Sequence, residues 1–157
     1  MQAITPFLWF NDHAETAVDF YLGIFPDAKI TSIMRYGKAG PGAEGTIMTI
    51  AFTLAGEEYT AINGGPLFSF SGAISFVINC NTQAEVDHYW DTLGAGGQYH
   101  QCGWLTDKFG VTWQVVPRQL IELMGTTDQE QNDRVMQAMM KMIKLEIAPL
   151  EHAAAAQ

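Results

Sequence analysis

The chain lacks most of what would take it out of the ordinary globular class. Two cysteines among 157 residues are too few for a disulfide framework, and a reducing cytoplasm is the expected compartment. No run of about eighteen apolar residues exists to cross a bilayer, and MQAITPFLWF has no basic stretch ahead of an apolar core, so no secretory leader is expected. Basic side chains are scarce as well. Eight Lys and Arg against seventeen Asp and Glu give a formal charge of −9, a field that repels nucleic-acid phosphates and anionic headgroups. Neither nucleic acid nor membrane is expected as a partner. What is present, 48% apolar and 16% charged residues, suits one domain with a real core or two half-size modules sharing one.

The organising feature is a stretch used twice. FLWFNDHAETAVDFY, residues 7–21, returns in weaker form as SFVINCNTQAEVDHY, residues 75–89. Asn11 falls on Asn79, Val18 on Val86, Asp19 on Asp87 and Tyr21 on Tyr89, all 68 positions apart. Each copy opens with a short β-rich apolar run and continues into a helical stripe, at positions 18, 21, 22, 25 and again at 86, 89, 90, 93. Asp12 with Glu15, and Thr82 with Glu85, have the spacing of capping boxes at the two helix starts. Strand followed by helix, twice, predicts a duplicated unit.

After the first helix, residues 29–36 read as a strand, and GKAGPGAEG, residues 37–45, as either a plain connection or a mobile flap over a cleft. Residues 46–54 and 58–63 flank a hairpin turn at Ala55-Gly56-Glu57. Asn63-Gly64-Gly65-Pro66 joins the halves, as a linker or as backbone able to approach a ligand closely. In the second half, strand 73–79 and helix 83–93 stop at Gly94-Ala95-Gly96-Gly97, and residues 99–105 and 111–117 flank a turn at 106–110. The modules are thus residues 3–66 and 72–118. Beyond them Thr127 and Glu130 suggest a third capping box, opening a helix over 127–149 whose face holds Val135, Met136, Met139, Met140, Ile143 and Ile147 and which Pro149 ends. The tail EHAAAAQ is expected to fray.

Two βαβββ modules in tandem, an α+β chain whose sheet curves around a cleft, with an added C-terminal helix, resemble the vicinal-oxygen-chelate superfamily of glyoxalase, extradiol dioxygenases and the fosfomycin and bleomycin resistance proteins. TPFLWF, AVDFYLGIF, RYGKAGPG, the NGGP loop, EVDHYWDTL, CGWLTDKFG and TWQVVP are similar to the PhnB-like branch, whose members often carry the label 3-demethylubiquinone-9 3-methyltransferase. The resemblance spans residues 3–150. It implies a metal held by His or Glu at four strand positions, which fall here on Pro6, Thr60, Ile74 and Gln114. Those side chains make no divalent set, because Zn²⁺ takes about four N, S or carboxylate ligands and Mg²⁺ or Mn²⁺ takes carboxylates and water. No metal and no cofactor is therefore expected. The methyltransferase label implies S-adenosylmethionine, yet the glycine-rich run 94–97 follows a helix and precedes a strand, the reverse of the usual cofactor turn.

By strand alternation from the four positions, the cleft wall would hold Pro6, Leu8, Thr60, Ile62, Ile74, Phe76, Gln114 and Val116. An apolar pocket of this kind suits a small organic or aromatic ligand held by one or two hydrogen bonds, although the same side chains could simply pack together. Arg35 at the glycine loop could pair with an anionic ligand. Cys102 beside His100 is either an activated thiol or a half-buried cysteine. The expected function is metal-independent small-molecule binding; the alternatives are the labelled methyltransferase and a metal-dependent glyoxalase or dioxygenase reaction, so whether the chain is an enzyme stays open. A homodimer is expected, with the methionine face of the last helix buried either on its own subunit or across a twofold.

Overall fold

The structure, a computed structural model, describes residues Met1–Gln157 as two compact units, Met1–Phe70 and Ser71–Gln157. In the first, β1 (Phe7–Phe10), α1 (Ala14–Leu22), β2 (Lys29–Arg35), β3 (Ile47–Leu54) and β4 (Glu57–Asn63) make a sheet of order β1-β4-β3-β2, with β1 parallel to β4 and the other pairs antiparallel. In the second, β5 (Phe76–Cys80), α2 (Gln83–Gly94), β6 (Gln98–Tyr99), β7 (Trp104–Thr106) and β8 (Thr112–Pro117) repeat that order as β5-β8-β7-β6, again with one parallel pair. The duplicated βαβββ unit is present in both halves. No helix is long and apolar enough to cross a membrane.

The helices bury the expected stripe. Ala14, Ala17, Val18 and Tyr21 of α1, and Val86, Trp90 and Leu93 of α2, turn inward. Val18 and Val86 are both fully buried, whereas Tyr89 is half-buried and its neighbour Trp90 takes the inner position. In the strands the repeat has a different offset. Thr60 pairs with Phe7 and Gln114 with Val77, so once the turn glycines Gly56 and Gly110 are matched, Leu8 corresponds to Ile78 rather than Phe76. The run 99–105, read as one strand, is split into β6 and β7 by a turn in which Cys102 (φ 59°) and Gly103 (φ 81°) take left-handed backbone.

Two of the three caps differ from expectation. Thr82 does cap α2, accepting from the Glu85 amide at 3.2 Å. Its box closes one residue early, since a Glu85 carboxylate oxygen accepts from the Asn81 amide. Asp12 does not cap α1; the cap residue is His13, whose side chain caps no helix amide and instead lies against the Asp12 carboxylate at 3.0 Å. For α4 (Gln129–Met139) the cap is Asp128 rather than Thr127, accepting from the Gln131 amide at 3.1 Å.

The C-terminal region is helical but not one helix. α3 (Arg118–Met124) and α4 are followed by an irregular stretch and then α5 (Ile147–Ala155). Long-range bonds hold the stretch open: the Cys102 and Gly103 amides donate to the carbonyls of Met142 and Ile143, and the Gln83 side chain donates to the Leu145 carbonyl while accepting from the Ile147 amide. Pro149 therefore lies in the first turn of α5, where an N–H is not needed, instead of ending a helix. The tail is helical as far as Ala155, and Arg134 donates from Nε and Nη2 to the carbonyls of Ala153 and Ala154. Val116, Leu120, Val135, Leu145 and Leu150 form the core beneath these helices, with Met139 packed against it.

Candidate functional site

Residues paired across a parallel ladder share a face. Leu8 pairs with Ala61, and both are buried, on the face where α1 packs. Thr60 and Ile62 pair instead with Phe7 and Trp9, on the opposite face. Leu8 is therefore a core residue and not part of a wall with Thr60 and Ile62. The phase of β1 is thus one residue from the alternation expected, because TPFLWF is apolar at nearly every position and carries no alternation to fix it. The same slip occurs in the second unit. Phe76 pairs with buried Trp113, the ring centroids 5.4 Å apart, while Gln114 pairs with exposed Val77. Gln114 donates to the Ser75 hydroxyl at 2.9 Å.

The remaining candidates are engaged locally. Arg35 is exposed and donates to the Gly45 carbonyl at 3.0 Å, tying down its own loop. The Cys102 thiol points to the Met139 carbonyl at 3.7 Å, and His100 bonds the Thr106 hydroxyl at 2.9 Å, so no thiol–imidazole pair forms. The donor chemistry at Pro6, Thr60, Ile74 and Gln114 does not fit a divalent metal. Proline and isoleucine offer no ligand atom, and Ile74 is 74% exposed, ahead of β5. No three His, Cys, Asp or Glu side chains converge elsewhere.

The open face of the first sheet is the more chemically suggestive surface. Phe7 is 58% exposed, and Trp9, Thr60 and Ile62 beside it are half-buried. Trp9 is held by an Nε1 bond to the Gly65 carbonyl at 2.9 Å and by the edge of Phe68, centroids 5.0 Å apart. Gly64 lies flat on the Trp9 ring, where a Cβ would come within 2.4 Å of it. The two glycines of the joining loop thus serve the indole. On the covered face, burial and then the charge of Glu57 raise the Tyr59 phenol above its ordinary pKa, so it stays neutral.

A cavity of about 390 Å³ opens in this unit where the glycine loop, the start of α1 and the end of β4 meet. Asn63 is its keystone. Its Oδ1 accepts from the Ala14 amide at 2.9 Å, its Nδ2 donates to Glu15 at 2.9 Å and to the Ile47 carbonyl at 3.1 Å, and its own carbonyl accepts from the Tyr36 hydroxyl. Tyr36 is 7% exposed, and a Cβ on Gly40 or Gly42 would meet its ring at 2.8 or 2.3 Å, so the 37–45 loop is laid on this tyrosine. The charged groups in the lining are Asp12 and Glu15, with no cation, which suits hydrogen-bond donors better than anions. Sequence reasoning flagged both loops but none of Asn63, Tyr36 and Glu15 as members of one site; the available signal was an Asn and a Tyr each placed directly beside glycine.

Residues 2–116 match the family described as 3-demethylubiquinone-9 3-methyltransferase. No curated protein matches. Among solved structures, a Bacillus cereus protein described as a 3-demethylubiquinone-9 3-methyltransferase, PhnB protein, is 38% identical, with TM-score 0.68 over 74% of this chain and 99% of its own. A Pseudomonas aeruginosa protein shares the fold at 22% identity and TM-score 0.63, covering 74% of this chain and 98% of its own. The fosfomycin resistance protein FosX of Mesorhizobium loti shares it at 14% identity and TM-score 0.52, covering 73% of this chain and 89% of its own.

Proposed function

Since the chain belongs to the 3-demethylubiquinone-9 3-methyltransferase family, the PhnB-like branch of the vicinal-oxygen-chelate superfamily, we propose that it binds a small organic or aromatic ligand without a divalent metal. The open face of the first sheet carries this reading: Phe7, Trp9 and Ile62 offer apolar and aromatic surface, and the Thr60 hydroxyl lies among them, with Thr49 beside Ile62 across the ladder. A surface of this composition takes up a flat apolar molecule and orients it by one hydrogen bond. On this reading the partners are small molecules met in the cytoplasm, not nucleic acid or membrane, in keeping with nine excess negative charges.

Native mass spectrometry of gently purified protein, followed by titration of aromatic acids, phenols and quinones against tryptophan fluorescence, tests the proposal. Saturable quenching that survives EDTA, and that is lost in Phe7→Asp and Ile62→Asp while circular dichroism is unchanged, is expected. Binding that requires a stoichiometric metal, or quenching indifferent to both variants, overturns it.

The family description favours a second reading, methyl transfer. The glycine-rich run that would have to serve a cofactor is occupied by packing. A Cβ on Gly94 would come within 2.0 Å of the Tyr99 ring, and one on Gly97 within 2.1 Å of the Thr106 carbonyl oxygen. Gly94 lets the end of α2 close on Tyr99 of β6, and Gly97 lets the following turn close on β7, so they form no cradle for a nucleoside. Calorimetric titration with S-adenosylmethionine separates the readings, and low-micromolar affinity replaces the binding protein with the transferase.

A further inference from the structure

The cavity between the glycine loop and the start of α1 has none of Phe7, Trp9, Thr60 or Ile62 in its lining, so the aromatic face of the sheet leaves it without an occupant. At about 390 Å³ it falls in the range of small-molecule sites. Its walls stand by themselves. Tyr36 has Gly40 and Gly42 packed on its ring and its hydroxyl on the Asn63 carbonyl, and Asn63 is fixed in turn by bonds to Ala14, Glu15 and Ile47. Walls held in this way spare a ligand the cost of ordering them.

The polar groups left over are of one kind. The hydroxyls of Tyr36 and Thr46 donate to the carbonyls of Asn63 and Ala43, the Gly64 and Gly65 amides to those of Phe10 and Asn11, and Asn63 Nδ2 to Glu15 and Ile47. These donors are spent, while acceptors remain. One Glu15 oxygen receives Asn63 and the other has no protein partner. One Asp12 oxygen lies 3.0 Å from His13 Nδ1, and the other likewise has no protein partner. Neither Lys38 nor Arg35, which is bound to the Gly45 carbonyl, lines the space. The start of α1 would by itself attract an anion, but its Ala14 amide is taken by Asn63 and two carboxylates already stand in the lining. Tyr36, Pro41 and Ile47 supply apolar wall.

We propose that this cavity binds a compact organic cation, a primary ammonium or a guanidinium on a short apolar body. Such a head group carries donors and no acceptor, which matches a lining whose donors are spent and whose acceptors are open. Its charge makes those hydrogen bonds the strong, charge-assisted kind and offsets the two carboxylates. The apolar body has Tyr36, Pro41 and Ile47 to lie against. None of these residues belongs to the aromatic face, so the cation site holds whether or not the aromatic-ligand reading holds.

Amide NMR titration of the full chain with butylamine and butylguanidine, against butyrate and butanol as the matched anion and neutral, tests it. Saturable shifts centred on Glu15, Gly42, Thr46 and Gly64 are expected with the two cations only, with a Kd of about 1 mM for so small a probe. Glu15→Gln keeps an acceptor for Asn63 and removes the charge, so it should weaken binding by about tenfold, as loss of a charge-assisted bond does. Asp12→Asn, at an exposed residue of the lining, should shift affinity in the same direction. Asp19→Asn, exposed on α1 outside the cavity, should leave it unchanged and controls for the general acidity of the chain. Butyrate or butanol binding as well as the cations overturns the proposal, as does an Asp19→Asn effect equal to that of Glu15→Gln. Absence of saturation below about 20 mM overturns it too. So does displacement of butylamine by an equal concentration of Mg²⁺ or Ca²⁺, since the carboxylates would then serve a metal.

Discussion

Asn63, the last residue of β4, caps α1 from 49 residues away, its Oδ1 accepting the Ala14 amide at 2.9 Å. The same side chain donates to Glu15 and to the Ile47 carbonyl, so one amide ties helix, strand and cavity together. Replacing it by alanine should remove about 1 kcal/mol of cap and about 1 kcal/mol more in donor bonds. Urea unfolding of Asn63→Ala should therefore show a loss near 2 kcal/mol; a loss below about 0.5 kcal/mol, the scatter of neutral surface changes, would mean that water replaces the amide without penalty.

Asp107 is a buried carboxylate, 3% exposed, that organises the β7–β8 turn. One oxygen accepts from the Phe109 and Val111 amides at 2.9 and 3.1 Å, the other from Trp113 Nε1 at 2.9 Å. Asp107→Ala strands a buried indole N–H and two amides, and should cost about 2 to 4 kcal/mol. Thermal unfolding checks this. Trp113→Phe in the Asp107→Ala background should cost less than in the wild type, because the indole has already lost its partner.

Gln83 is the latch of the C-terminal addition, its amide clasping the backbone on both sides of Glu146. Gln83→Ala should raise the hydrogen-exchange rate of the Ile147 amide by about tenfold, the equivalent of one lost bond of roughly 1.4 kcal/mol. Unchanged protection there would assign the hold to Leu145 alone. The neighbouring Lys144–Asp87 pair adds under about 1 kcal/mol, being largely solvated. Hydrogen bonds from Lys144 and then Gln83 hold the Asp87 carboxyl below the ordinary carboxylate range, so its contribution is present at neutral pH and disappears as pH falls through that lowered value.

Burial, reinforced by Glu85 and partly opposed by Arg118, pushes the Cys80 thiol up to about 12. In the native state it should resist iodoacetamide at pH 8, reacting only on unfolding. A group that ionises later in the folded state stabilises the fold below its unfolded pKa. The Cys80 contribution should therefore be complete below pH of about 9 and decline between about 9 and about 12. Cys80→Ser should flatten that alkaline limb of the stability curve, and an unchanged limb would place the titration in another group.

The sequence alone determined the duplicated βαβββ unit, because helical periodicity and turn glycines are local signals: the stripes at Val18 and Val86 and the turns at Gly56 and Gly110 could be read directly. It also determined that no metal-binding set falls at the four positions the resemblance assigns, since Pro6 and Ile74 lack donor atoms wherever the backbone puts them. Tertiary structure decided the rest. Which face of β1 and β5 is covered depends on the parallel partners β4 and β8, some fifty and forty residues away along the chain, and an unbroken apolar run carries no phase of its own. The α1 cap depends on Asn63, and the break between α4 and α5 on Gln83, Cys102 and Gly103, all distant in sequence. A box at Asp12 or a helix through residue 149 satisfies local hydrogen bonding equally well; the long-range partners bury Leu145 and close the orphan amides at once, and that surplus of contacts overrides the local preference.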